Sequence, residues 1–307
     1  MTKKKVKLNL VNLPTGKPHV SFSELSMWFG CTWAHKLAQI DKLDKYVQNV
    51  HALFGTAIHA ALQDFLETRK MKVEIATDMI DKMWDKMRAN PPSDVLSGDD
   101  LEKWKQSFSK VDIKTPRGRV IVQGRETWKK QARAILAEIP AFMDDNFPNW
   151  EFVEAEHQLY EQVEGFEHAF KGFIDGVITC LDKRGKKRLT WLIDWKTSTR
   201  GWFKEKKQDV MTKNQLILYK RFWCQKTGAN FKDVRCAFVI LKREGKPGTL
   251  CDFFPVSVGD ITSERAGKLV KDMLVTLHRG IAIKDRTGCK WCDYFGTEHC
   301  DSIYRQI

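Results

Sequence analysis

Two acids and a lysine stand where an apolar strand would ordinarily carry none. The segment WLIDWKT, residues 191–197, sets Asp194 and Lys196 two positions apart among β-forming residues. Alternation along a strand puts both on one face, with Ile193, Trp195 and Thr197 on the other. A carboxylate in such surroundings is costly unless it is paired or binds a metal. The preceding strand-like run, FKGFIDGVI, carries a second one at Asp175. The charged stretch LDKRGKKR between them reads as a hairpin turn. With that turn centred between Arg184 and Gly185, Asp175 and Asp194 become cross-strand neighbours with Cβ atoms about 4.5–5.5 Å apart. Two carboxylates that close repel when both are ionised. Either a divalent cation of the Mg²⁺ or Mn²⁺ type lies between them, held by hard oxygen ligands, or Lys196 neutralises them as a structural ion-pair cluster. In the first case the lysine orients a nucleophile or steadies developing negative charge. The basic turn would then bring a phosphate backbone to the cation.

The elements that must position these residues are legible from periodicity. Ser21-Phe22-Ser23-Glu24 has the form of a capping box and predicts a helix running toward Cys31 and Leu37. Ile58, Leu62, Phe65 and Leu66 recur at helical spacing, with His59 beside the stripe. A third helix carries Met79, Ile80, Met83, Trp84 and Met87 and stops at Asn90-Pro91-Pro92. A fourth spans about Glu126 to Phe147, with Pro140 placed to kink it. From Glu151 the pattern turns to strands at EFVEAEHQLY, HAFKGFIDGVITCL and LTWLIDWKTS. A helix at NQLILYKRFWC, strands at VRCAFVILKR and TLCDFFPVSV, and a helix at TSERAGKLVKDMLVTLH complete the series. The expected class is α/β, a mixed central sheet flanked by helices. Four regions follow: a basic arm over 1–19, a helical region over 20–149, a core sheet over 150–258, and a final helix with a cysteine segment over 259–307.

The chain has 307 residues, 42% of them hydrophobic, and no apolar run near the roughly 18 residues that span a bilayer. The start, MTKKKVKLNL, lacks the apolar stretch of a secretory signal, so a reducing cytoplasm is expected. There the eight cysteines serve as thiols or metal ligands. A formal charge of +13 favours a polyanionic partner, nucleic acid first and an anionic membrane surface second, or serves solubility alone. Basic residues crowd the turn at Lys183, Arg184, Lys186 and Lys187 and the stretch from Arg200 to Lys213. Near the end, CKWCDYFGTEHC packs Cys289, Cys292, Cys300 and His299 together. Three thiols need a fourth donor, either His299 in a zinc site or another cysteine. Cys180, Cys224, Cys236 and Cys251 read as small buried hydrophobes. Cys31, near a helix end among polar and aromatic residues, differs from them.

GFID at 172–175 followed by IDWKT at 193–197 resembles the signature of the PD-(D/E)XK nucleases, in particular the RecB-like branch that includes CRISPR adaptation nucleases, AddB-type nuclease domains and phage exonucleases. His59 in GTAIH, Gln215 and Tyr219 in QLILY, and Cys31 after Gly30 are similar to further motifs of that branch, in the same order. The resemblance covers about Ser21 to Cys300. It implies a catalytic metal, Mg²⁺ or Mn²⁺, bound by Asp175, Asp194, the Trp195 carbonyl and His59. It also implies that Lys196 assists the attacking water, while Gln215 and Tyr219, one helical turn apart, position the lysine and the scissile phosphate. Each has a plainer counterpart, His59 as a core residue and Gln215 with Tyr219 as the start of a packed helix. Glu156 lies in the strand before, with too loose a match to be assigned.

The resemblance further implies that Arg200, Lys206 and Lys207 contact phosphates and that Trp202 and Phe203 stack on unpaired bases. A solvated loop with both aromatics packed beneath it is the other reading. A subset of the branch gathers one N-terminal and three C-terminal cysteines around a [4Fe–4S] cluster, which here implies Cys31, Cys289, Cys292 and Cys300. The long last gap, with His299 inside it, keeps a Cys₃His zinc site open. Such a clasp is chiefly structural. The expected function is a metal-dependent DNA nuclease, an exonuclease on single-stranded or free ends that hydrolyses phosphodiesters by in-line attack of a metal-activated water. The alternatives are a structure-selective or integration-processing endonuclease and a catalytically silent nucleic-acid binding protein. DNA is the expected partner, with no membrane.

Overall fold

In the computed structural model, residues 10–43, 47–109, 113–114 and 120–300 are described. The lysine-rich start, residues 1–9, lies outside them. A short strand β1 (His19–Ser21) leads into α1 (Phe22–Gly30) and α2 (Thr32–His35). The helices α3 (Val50–Thr68), α4 (Val73–Ala89) and α5 (Gly98–Ser107) follow, then the small pair β2 (Ile113–Lys114) and β3 (Val120–Val122), and α6 (Arg125–Asn146). The core sequence is β4 (Glu151–Gln162), β5 (Ala169–Leu181), β6 (Arg188–Ser198), α7 (Lys204–Gln208), α8 (Val210–Thr227), β7 (Val234–Lys242), β8 (Cys251–Val256) and α9 (Asp260–His278).

The main sheet is mixed. β4 pairs antiparallel with β5, β5 with β6 and β7 with β8, whereas β6 and β7 run parallel and α8 makes the crossover between them. Alternation divides the side chains cleanly. Ile193, Trp195, Val239 and Leu241 face a core built with α3, α4 and α6. Leu192, Phe238 and Ile240 face a second core built with α8 and α9. No helix among the described residues is long and apolar enough to cross a membrane.

One sequence expectation changes here. Ser21 does cap α1, its hydroxyl accepting from the Glu24 N–H, but the helix does not run on to Leu37. Cys31 adopts an extended backbone (φ −167°, ψ 114°), and its thiol caps α2 by accepting from Ala34 N–H. Glu24 turns inward to the buried His35, 3.1 Å away. The capping pattern thus served two needs at once. Pro140, for its part, lies inside α6 without ending it.

Candidate active site

The β5–β6 ladder runs from Leu181 and Arg188 to Gly176 and Ile193, the register expected from the turn, and stops there. β1 takes the same edge of β5 further back, at Ala169 to Lys171. Residues 172–175 therefore lie where β5 and β6 part, and β6 continues alone with β7 to Ser198. Asp175 and Asp194 sit at this parting. The Trp195 N–H, released from the ladder, donates to Asp175 Oδ2 at 2.7 Å. Asp194 is 1% exposed, with Lys196 Nζ 2.6 Å from its Oδ2. Its Oδ1 is buried with no hydrogen-bond partner, a costly state for a carboxylate oxygen.

Helices on both faces complete the site. From α3, His59 donates through Nε2 to the Trp195 carbonyl (3.1 Å), which leaves Nδ1 unprotonated, 3.8 Å from Asp175 Oδ1. Burial holds the His59 pKa below its ordinary value, so the imidazole is neutral and able to bind a cation. From α8 on the other face, Gln215 Nε2 donates to Tyr219 Oη (3.2 Å). Burial, with Asp194 nearby, pushes the phenol up to about 12 and keeps it protonated. For Lys196 burial opposes the charge, but Asp194 and Asp175 outweigh it and raise its pKa.

Gly172 explains why the strand can lie under this helix. A Cβ there would fall 2.7 Å from Tyr219 Cε1, a rigid ring atom. Gly172→Ala should therefore displace Tyr219, destabilise the fold by about 1–3 kcal/mol and reduce activity. Thermal melting beside a cleavage assay checks this.

Asp175 sits in an environment hostile to its charge. Burial first, then Asp194, raise its pKa well above the carboxylate range. A raised folded-state pKa means that the folded protein keeps a proton the unfolded chain releases. Stability from this source is complete below the unfolded value and falls as pH rises toward the folded one. Asparagine keeps an acceptor for Trp195 N–H and removes the charge. In chelator at pH 8, Asp175→Asn should melt higher than the parent protein by a few degrees, on the order of 2–4 °C per kcal/mol. At pH 4 the gap should close.

A residue left unassigned in the sequence enters the site. Glu156 has φ +48°, a left-handed conformation rare outside glycine, and no ladder partner is recorded for it between Ala155 and His157. It belongs to the one group of three donors, among the described residues, whose ligand atoms all lie within 4.8 Å of one another: His59, Glu156 and Asp175. Its position opposite Asp175 could be counted from the β4–β5 turn, but the strained backbone that accompanies its approach has no sequence signal.

The basic residues are placed less uniformly. The turn carrying Lys183, Arg184, Lys186 and Lys187 is exposed but lies at the far end of the hairpin. Asp182 is seven strand positions from Asp175, roughly 23 Å, so this turn does not bring a phosphate to the carboxylates. Lys187 pairs instead with Asp233 at 2.5 Å. Trp202 packs on Phe238 and Phe254, with ring centroids 5.0 and 6.0 Å away, and is an anchor of the core rather than a free stacking surface. Phe203 remains 75% exposed. Arg200 pairs with Glu244 (3.0 Å), and Lys206 and Lys207 lie 6.0 Å from the rings of Trp202 and Phe254.

The segment around Cys31 meets the segment that follows α9. Thr32 Oγ1 donates to the Ile283 carbonyl (3.0 Å), Trp33 N–H donates to the same oxygen (3.1 Å), and Trp33 Nε1 donates to the His299 carbonyl (3.1 Å). Asp285 N–H donates to Cys31 Sγ at 3.4 Å. Cys31, Cys289, Cys292 and Cys300 all line one cavity of about 230 Å³. The His299 ring lies 3.5 Å from Glu298.

A mixed sheet whose middle strands part around two aspartates and a lysine, with helices on both faces, defines a nuclease core of the restriction-endonuclease-like class. The family model of the PD-(D/E)XK nuclease superfamily matches residues 19–296, and the chain belongs to that superfamily. Its substrate is accordingly nucleic acid. No curated protein matches the chain in sequence. Among solved structures, it is similar to a protein of Eubacterium rectale provisionally assigned as an exonuclease. The two are 14% identical with a TM-score of 0.50, over 90% of this chain and 86% of the other, a likeness of fold.

Proposed function

We propose that this chain is a divalent-metal-dependent DNA exonuclease of the RecB-like branch, acting on single-stranded or free ends in the cytoplasm and carrying a [4Fe–4S] cluster. The observation that carries the metal dependence is the convergence of donors. His59, Glu156 and Asp175 offer ligand atoms within 4.8 Å of one another, and Asp194 Oδ1 is buried and unpartnered. Three carboxylates face one lysine, an imbalance that suits a divalent cation of the Mg²⁺ or Mn²⁺ kind. When bound, such a cation polarises the phosphate and lowers the pKa of water. The protein's own groups do the rest. Lys196, held by Asp194, places its ammonium where charge develops on the phosphate. Tyr219, protonated and steadied by Gln215, fixes the lysine's side of the site, while His59 and the Trp195 backbone set the orientation of Asp175. The Trp195 carbonyl retains a second lone pair toward the site.

Support for the cluster comes from spacing. No three of the four thiols gather as closely as the 4.8 Å donor group. Zinc–sulfur bonds of about 2.3 Å would draw tetrahedral ligands to about 3.8 Å from one another. Cysteines spread around a cavity suit a larger inorganic core, with four thiols as its donors.

The test is end-labelled linear and closed circular single-stranded DNA incubated with anaerobically purified protein and Mn²⁺. Release of mononucleotides or short products from linear DNA alone is expected. Cutting of circles would overturn the exonuclease reading, and no cutting of either would overturn the enzyme reading.

A further inference from the structure

A groove outside the carboxylate site carries a cation that is in no ion pair among the described residues. Arg243, just beyond β7, donates to Gln123 Oε1 (3.0 Å) and Thr199 Oγ1 (2.6 Å), and its guanidinium lies 4.3 Å from the centroid of the Trp128 ring. These contacts fix its plane without neutralising it. Among the described residues no carboxylate lies within ion-pair distance of Arg243; the adjacent Glu244 pairs with Arg200 and acts on Arg243 only through space. Arg243 lines a cavity of about 400 Å³ together with His51 and Lys103. A second cavity, about 670 Å³, shares Gln123, Thr199 and Glu244 with the first and extends to Arg200 and the exposed Phe203. Burial lowers the Arg243 pKa, the mark of a charge partly stripped of water.

The groove is aligned with the carboxylate site. α3 runs beside β6, with His59 against Trp195 and Gly55 near Thr197, while His51 and Thr199 line the first cavity. From His59 to His51 is eight helical residues, about 12 Å, or three to four steps of stacked strand at about 3.4 Å each.

We propose that this groove holds the nucleic-acid strand leaving the carboxylate site, with Arg243 and Lys103 binding a phosphate and Phe203 stacking on a base. The proposal rests on the nuclease reading. An oriented guanidinium suits a phosphate's paired oxygens, whether the phosphate is internal or a strand's 5′ end.

The test is fluorescence anisotropy of a labelled 20-nucleotide single strand with the full-length Asp194→Asn protein, with 5′-phosphate and 5′-hydroxyl forms compared. Adding Arg243→Gln should weaken binding roughly five- to tenfold and lower the slope of log affinity against log salt by about 0.7. Lys103→Gln, on an exposed side chain whose ion-pair partner is Asp100 at 3.4 Å, should do likewise and covers the case in which Arg243→Gln unfolds. Equal loss for both oligonucleotides assigns an internal phosphate, and loss confined to the phosphorylated one assigns the terminus. Unchanged affinity and salt slope in both folded variants would overturn the groove. Failure of the parent enzyme to cut would instead overturn the nuclease reading.

Discussion

Lys196→Ala will lower the cutting rate by at least about 10²-fold and, without divalent metal, also weaken the fold. Asp194 is 1% exposed and its close cation is Lys196 Nζ at 2.6 Å, while the lysine side chain is about one-third exposed. Breaking a fully buried pair costs about 3–5 kcal/mol, and partial solvation of the lysine reduces this to on the order of 2–3 kcal/mol. Mn²⁺ should restore much of that loss, because a cation can neutralise Asp194 as the ammonium did. It should not restore hydrolysis, since the ammonium that faces the developing charge is gone, a loss of about 10²–10³-fold or more. Melting curves with and without Mn²⁺, beside cleavage rates, separate the two effects. Were the lysine only a structural counter-ion, stability and activity would recover together.

The second large effect concerns the clasp. Cys31→Ser should strip iron from the anaerobically purified protein and lower its melting temperature. Closing a loop from Cys31 to Cys300 restricts the unfolded chain by about 5–6 kcal/mol in the chain-entropy description of a cross-link. The hydrogen bonds between Thr32, Trp33 and Ile283 retain part of the closure, so a fall of roughly 5–10 °C is expected. Cys224→Ser, at a half-buried thiol outside that cavity, should leave iron content and melting unchanged. Stoichiometric zinc and no iron in the parent protein would contradict the cluster.

Much of this architecture could be read before the fold was seen, for physical reasons that also mark the limit. The register of β5 on β6 followed from one hairpin turn, because pairing along a ladder is arithmetic. Asp175, Asp194 and Lys196 were conspicuous because charges in apolar strands need a reason. Glu156 was not, because its approach to His59 and Asp175 goes with a left-handed backbone at a residue type that rarely adopts one. The break at Cys31 was hidden because a thiol cap looks, in sequence, like one more helical residue. The basic turn was misplaced for a simpler reason: closeness in a hairpin's sequence is not closeness along its length. Trp202 keeps two readings in the sequence because an aromatic beside lysines suits both a nucleic-acid groove and a core, and only packing on Phe238 decides. Arg243 has no signal in the sequence, since its partners Gln123, Thr199 and Trp128 are scattered along the chain.

The central claim is that the parting of β5 and β6 holds the cation needed for cutting. The most direct measurement is anomalous scattering from crystals soaked in Mn²⁺. The account predicts a peak about 2.0–2.3 Å from a carboxylate oxygen of both Asp175 and Asp194, within reach of His59 and absent in Asp194→Ala. An active, Mn²⁺-dependent protein with no peak there, or with its metal bound elsewhere, would contradict it.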